Sequence, residues 1–277
     1  MGTRLTRVAF PVLGLMILAA FAPRTAAQAI APVDPVPAHD SFTVASRTLG
    51  EGRLINVHTP VGYDTSGGRR YPVLYMPDGG TDEDFPHVVN TVDSLIALGE
   101  IRPIIVVGVP NTERRRDLTG PTRLASDSAI AKRVGGSAAF RGFIRDELMP
   151  VIGKRYRVTA ERGIVGESLA GLFIVETFLE EPAMFDHYVA IDPSVWWNGG
   201  ALVDATPAML AAFDSASRTL FLASSKDDIA ASTERLAAQI RAHPPRGLVW
   251  EYERRPDLAH STIFRAVGPS ALARALK

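Results

Sequence analysis

The 277-residue chain contains no cysteine. That excludes disulfides, a thiolate nucleophile, cysteine-ligated metal and lipid attachment at a signal-peptide cysteine. It carries no net charge either, because 30 lysines and arginines balance 30 aspartates and glutamates. No overall field therefore draws it to nucleic acid or to an anionic membrane, and no nucleic-acid motif is found. There is no Gly-x-Gly-x-x-Gly, no P-loop and no metal-site spacing of histidines and carboxylates, so no cofactor and no metal is implied. Long apolar runs are scarce: the one of note, Val8 to Ala22, follows Arg4 and Arg7 and precedes Ala27-Gln28-Ala29. Basic, apolar and small-residue regions in that order read as a secretory signal over residues 1–29, giving a periplasmic or secreted product with no stable membrane insertion after cleavage.

What remains is an ordinary globular composition, 46% hydrophobic and 22% charged. Residues 30–40, rich in proline and alanine, read as a loose leader, and residues 41–277 as one domain. Two alternating stretches, 41–49 and 53–59, flank Gly50-Glu51-Gly52 as an antiparallel hairpin. Continuous apolar runs at 71–76, 103–109, 163–165, 188–191 and 219–223 have the pattern of strands buried on both faces, and a last strand falls at 248–254. Helical patterns at 88–98, 137–156, 169–179, 207–213, 230–242 and 261–275 alternate with them. The expectation is an α/β fold: a mostly parallel eight-stranded sheet with an antiparallel N-terminal edge and helices on both faces.

One strand runs into Gly166-Glu167-Ser168-Leu169-Ala170-Gly171 and then turns helical. A sharp strand-to-helix turn of small residues around one serine is a nucleophile elbow, which lifts the hydroxyl to the carboxyl end of the sheet beside the N–H groups that open a helix. The spacing departs from Gly-x-Ser-x-Gly, because Ala170 stands at the fifth position. The competing role for Ser168 is that of a helix cap.

A serine needs a general base. Of six histidines (His39, His58, His87, His187, His243 and His260), His260 alone lies between the last strand and the last helix, where an α/β hydrolase holds its base. The acid belongs after a strand between the two, which selects Asp227, then Asp228, with Asp192 and Asp257 as weaker candidates. Either of the first pair also suits a helix cap. Leu169 N–H is one oxyanion donor, and the second is assigned to Gly79 or Gly80 in the loop after an early strand. Arg114 and Arg116 follow another strand and offer contacts to substrate, as do Trp196 and Trp197, unless they are a solvated loop and core packing.

These motifs together give a resemblance. Val73 to Gly79, Val106 to Asn111 leading into Arg114 to Thr119, the elbow through Phe173, Asp192-Pro193-Ser194-Val195-Trp196-Trp197 and His260-Ser261-Thr262 resemble the esterase family of α/β hydrolases. That family contains the enterochelin and other siderophore esterases, esterase D-like enzymes and the mycolyltransferases. The resemblance implies the α/β-hydrolase fold, Ser168 as nucleophile, His260 as base, the 78–80 loop as an oxyanion donor, and an arginine loop bordering the substrate pocket. Family members usually have glycine where this chain has Ala170, and the acid region varies, so both Asp227 and a Ser-His dyad stay open. The expected function is an exported serine carboxylic ester hydrolase that forms an acyl-enzyme and takes siderophore-type or other small esters. Acyl transfer of the mycolyltransferase type and a non-catalytic binding protein on the same scaffold are the alternatives.

Overall fold

Tyr71-Pro-Val-Leu-Tyr-Met-Pro77 offers no side to water, and it forms a strand buried at every position. The computed structural model describes residues 1–2, 34–65, 67–214 and 216–277. Apart from its first two residues, the signal segment read at 1–29 lies outside the described residues, as do residues 30–33 of the leader. Residues 34–39 have no regular structure. Pro35 O accepts from Asn90 Nδ2 at 2.8 Å, and Ala38 O from His58 Nδ1 at 2.8 Å.

The elements from Asp34 onward run β1 (Asp40–Ser46), β2 (Glu51–His58), β3 (Tyr71–Pro77), α1 (Phe85–Ala97), β4 (Ile105–Val109), α2 (Arg114–Asp117), α3 (Ala125–Ser128) and α4 (Ser137–Phe143). A π-helical turn, Ile144–Leu148, leads into α5 (Met149–Arg155). Then come β5 (Val158–Glu167), α6 (Ser168–Glu180), β6 (His187–Ile191), α7 (Trp197–Leu210), β7 (Arg218–Ser224), α8 (Ile229–Ala242), β8 (Leu248–Arg254) and α9 (His260–Ala275). The strands form one eight-stranded sheet in the order β1-β2-β4-β3-β5-β6-β7-β8. The pairs β1–β2 and β2–β4 are antiparallel and the rest parallel. The expected architecture is therefore present, with differences in its elements: α7 begins at Trp197 and ends at Leu210 where a helix over 207–213 is expected, and the short α2 and α3 fall where no helix is expected. The helix expected over 137–156 is interrupted by the π turn, because Pro150 has no N–H to continue the ladder. Strand β5 extends well upstream of 163 because its first half is polar and partly exposed, a signal that a search for apolar runs does not register.

Alternation along the buried strands sorts side chains to two cores. Leu74, Met76, Val106 and Val165 pack with α1 and α9 on one face. Val73, Tyr75, Val107 and Ile164 pack on the other with α4, α6, α7 and α8. Helix α6 is buried at every position from Leu169 to Leu179, because its outer side is covered too. The carboxyl ends of β3, β5 and β6 are each followed by a residue in the left-handed region: Asp78 (φ 53°), Ser168 (φ 56°) and Asp192 (φ 47°). Such a conformation costs a non-glycine residue about 1–3 kcal/mol and concentrates where a side chain must be aimed. Here all three lie along one edge of the sheet.

Candidate active site

The elbow is built by close packing. A Cβ placed on Gly166 would lie 2.7 Å from Ala170 Cβ, so the missing side chain of the glycine makes room for the alanine. That accounts for Ala170 at a position where the motif has glycine. The turn leaves Ser168 at the first position of α6, whose opening N–H groups, Leu169 among them, have no intrahelical partner.

Ser168 Oγ lies 3.2 Å from His260 Nε2. The other ring nitrogen, Nδ1, donates to Asp192 Oδ2 at 2.7 Å. Asp192 is fully buried, whereas the His260 side chain is 39% exposed. The second oxygen of Asp192 accepts from Ser225 N at 2.8 Å, which clamps the carboxylate against the end of β7. Burial opposes ionisation of Asp192, but the bonds from His260 and Ser225 outweigh it and hold the carboxyl below its ordinary range. The bond to Asp192 raises His260 above the usual histidine value, against the opposing effect of burial. Ser194 Oγ is 3.5 Å from Ser168 Oγ.

The acid at the histidine is thus Asp192 and not Asp227, which the sequence places first. Asp227 Oδ2 accepts from the backbone N–H of His260 at 2.6 Å, so it fixes the start of α9 rather than the ring. Asp228 is the N-cap residue of α8 and makes no side-chain cap bond. Asp257 pairs with Arg255 on the surface. The signal that finds Asp192 is its place directly after β6, the strand hydrogen-bonded to the elbow strand.

Both candidates for the second oxyanion donor are engaged within the protein. Gly79 N donates to Val109 O at 3.2 Å, and Gly80 N to Glu83 Oε2 at 2.7 Å, so neither is free in this conformation. The glycine at 79 is required by its own backbone neighbours: a Cβ there would collide with Gly108 and Val109 of β4. Glu83 is also held by Asn111 Nδ2 at 2.6 Å.

Arg114 grips Asp78 through Nε and Nη2, both at 2.7 Å, and its side chain stays 37% exposed at the rim. Glu167, next to the nucleophile, has Oε2 buried without a hydrogen-bond partner among the described residues. Burial, reinforced by the charge of Asp84, pushes its carboxyl up to about 7, and burial with the charge of Asp78 pushes Asp84 up to about 6. This wall therefore carries less negative charge near neutral pH than its carboxyl groups suggest, which limits repulsion of an oxyanion.

Arg116 is not at the rim. It is buried, bonded to Glu51 at 2.6 Å and to Asp117 Oδ1 at 2.6 Å, and its hydrogen bond holds Glu51 down at about 2. Asp117 meets Arg53 at 2.5 Å, both side chains fully buried, and Arg53 Nη2 reaches Pro110 O at 3.0 Å. The pair pins both ends of the segment that carries Asn111 and Arg114. Asp117→Ala removes the fully buried partner of Arg53 and leaves it the partly exposed Glu51 at 3.1 Å, and the expected loss is about 3 kcal/mol, the low end for breaking a buried pair, read from the urea midpoint at constant slope. Trp196 is 41% exposed, whereas Trp197 is buried and donates Nε1–H to Gly120 O at 2.8 Å.

Three comparisons bear on this geometry. The family described as "Putative esterase" matches residues 46–243. Ferri-bacillibactin esterase BesA of Bacillus subtilis is 30% identical over 148 residues, 46% of this chain and 49% of that protein. A siderophore triacetylfusarinine C esterase of Aspergillus fumigatus is 28% identical over 193 residues, 64% of this chain and 62% of that one. The chain thus spans about half to three-fifths of the length of these curated relatives. Among solved structures, an IroE-like serine hydrolase from Shewanella oneidensis superposes with a TM-score of 0.78 at 25% identity, covering 86% of this chain and 79% of that one.

Proposed function

The chain belongs to the esterase family of α/β hydrolases, and from that premise we propose that it is a serine carboxylic ester hydrolase working through an acyl-enzyme. The observation that carries the reading is the relay from Ser168 Oγ to His260 Nε2 at 3.2 Å and from His260 Nδ1 to buried Asp192 at 2.7 Å. His260 takes the hydroxyl proton as Ser168 attacks the ester carbonyl, and Asp192 stabilises the imidazolium that forms. The oxyanion is met by Leu169 N–H, and by Gly80 N–H once Glu83 turns to Asn111 alone. His260 then returns the proton to the departing alcohol. Water enters, gives its proton to the same nitrogen and adds to the acyl carbon; collapse releases the acid, and His260 returns the proton to Ser168 Oγ.

The substrates we propose are siderophore-type and other small esters, supported by the siderophore esterases among the relatives. Arg114, partly exposed beside Asp78, and exposed Trp196 are the side chains assigned to receive them in this proposal. Export to the periplasm or medium is part of the same proposal and rests on the basic, apolar and small-residue order of the first 29 residues. The test is incubation of purified protein with nitrophenyl esters and a catecholate siderophore ester, with and without sugar acceptors. Free acid equal to the alcohol released, unchanged by acceptors, is the expected result. Failure to cleave any ester, together with no fluorophosphonate labelling, would remove the reading.

A further inference from the structure

Asn56 stands inside β2 and is 1% exposed, although strands disfavour asparagine and burial demands a partner for each of its polar atoms. Its Nδ2 donates to Gly79 O at 2.9 Å. We infer that Asn56 is a positioning residue for ester hydrolysis: by holding that carbonyl it aims the N–H on the other side of the same peptide, that of Gly80, at the oxyanion. The inference rests on the esterase reading above, with Gly80 as the second donor.

Peptide geometry is the first support. The Gly79–Gly80 bond is trans and planar, so its C=O and N–H point in opposite directions and fixing one aims the other. The peptides on either side are held by backbone: Gly79 N donates to Val109 O at 3.2 Å, and Gly80 O accepts from Glu83 N at 3.0 Å. The peptide between them is held by side chains, Asn56 at its oxygen and Glu83 at its nitrogen. Glu83 has to leave that N–H before an oxyanion can take its place. Asn56 is then the hold that remains. Glycine on both sides resists rotation of the peptide plane least, and a flipped peptide would turn its carbonyl oxygen toward the developing negative charge.

Placement is the second. Strand β3 pairs with β5, with Tyr75 beside Ile164, so β3 ends at Pro77 within one residue of the level at which β5 ends at Glu167. The 78–80 loop therefore leaves the sheet beside Ser168.

The way the contact is built is the third. Ser41, Asn56 and Gly108 lie side by side on β1, β2 and β4. A Cβ on Gly108 would lie 2.6 Å from Gly79 O, so the bare backbone at 108 is what lets the carbonyl come down to Asn56. Ser41 Oγ donates to Asn56 Oδ1 at 2.8 Å. The amide oxygen is thereby engaged on the side of β1, and the NH₂ end faces the loop. Three strands thus converge on the orientation of one peptide bond.

The test compares wild type, Asn56→Ala and Asn56→Leu in kcat and KM for nitrophenyl acetate and in inhibition by a trifluoromethyl ketone, whose adduct with a serine is a tetrahedral oxyanion. Alanine opens the site to a cavity of about 380 Å³ lined by Ser41, Asn56 and Gly80, from which water reaches the freed carbonyl without fixing its direction. Leucine keeps the branching and bulk and offers no N–H. Losing an oxyanion donor outright costs roughly 10²–10³ in kcat, and misaiming one is expected to cost about ten- to a hundredfold. Acylation and deacylation both pass through an oxyanion, so the loss falls on kcat with KM within about twofold of wild type. The ketone's Ki is expected to rise by the factor by which kcat/KM falls. Damage that merely lowers the folded fraction leaves Ki where it was. Should neither variant fold, Ser41→Ala, at an exposed position on the edge strand, releases the amide from its fixed direction and is expected to lower kcat about two- to tenfold with the same rise in Ki. A folded Asn56 variant with wild-type kcat, or with a lower kcat at unchanged Ki, overturns the inference and leaves the esterase reading standing. Where Ser41→Ala alone folds, wild-type kcat and Ki in it do the same. A wild type that cleaves no ester and takes no fluorophosphonate overturns the esterase reading, and this inference with it.

Discussion

Ser168→Ala is expected to lower kcat toward nitrophenyl acetate by about 10⁶, the scale on which losing the nucleophile of a Ser-His-Asp unit registers, and to abolish fluorophosphonate labelling. The size follows from the way the three groups act. His260 and Asp192 do no covalent chemistry alone; they raise the reactivity of one oxygen, and once it is gone the pair has nothing to deprotonate. Residual turnover comes from positioning and the oxyanion donors, worth roughly 10³–10⁴ over water in a complete site. The check is single-turnover kinetics beside an unfolding curve of the variant. Since Ser168 holds φ 56° and its hydroxyl meets His260 and Ser194, its replacement by alanine keeps the strained turn and removes those two contacts. A variant that folds and still hydrolyses the ester at the wild-type rate would remove Ser168 from the chemistry.

How much of this was legible in the residues depends on how local each signal is. The sheet was, since buried parallel strands and the helices between them write continuous and periodic apolar patterns. Ser168 and His260 were as well, because each lies where a named strand ends and a helix begins. The acid was not decided at that level. Asp192 and Asp227 follow neighbouring strands, and what separates them is direction: the left-handed turn at Asp192 aims its side chain at the ring, whereas Asp227 meets the backbone N–H of the same histidine. Backbone sign at a non-glycine residue leaves no mark in composition. The arginines show the same limit. Arg116 looks like Arg114 in a charged loop, yet its partner Glu51 comes from a strand 65 residues away and draws it into the interior. Gly79 stands in the sequence as a candidate oxyanion donor, and what its missing side chain serves is the close approach of β4. In each case a distant segment decides, and only the folded chain brings it near.

Asp192→Asn is expected to cost about 10⁴ in kcat, and Asp227→Asn to stay within an order of magnitude of wild type. An asparagine at 192 keeps the volume and can keep the Ser225 N–H bond at its oxygen. Its amide then donates where the carboxylate accepted, and the imidazole turns to the tautomer that carries hydrogen on Nε2, facing Ser168 with a donor instead of a base. At 227 the demand is different: the group accepts a backbone N–H at 2.6 Å, and an asparagine oxygen does so equally. The pH profile separates a catalytic role from mere damage. His260 must be neutral to act as base, and its bond to Asp192 raises its pKa above the ordinary value. Wild-type kcat/KM therefore climbs with pH through a midpoint above about 6.5, the unperturbed histidine value. Without the carboxylate the largest cause of that rise is gone, and burial, which opposes the charge, is left against the weaker charges of Glu167 and Asp227. The acid limb of Asp192→Asn should accordingly move to lower pH while its plateau falls. Asp227→Asn, which removes only a minor contribution to that rise, should shift the midpoint downward by less than Asp192→Asn does. The reverse pattern, with the large loss and the larger shift of the limb at 227, would return the acid role to Asp227 and show that the clamp at Ser225 holds a bystander.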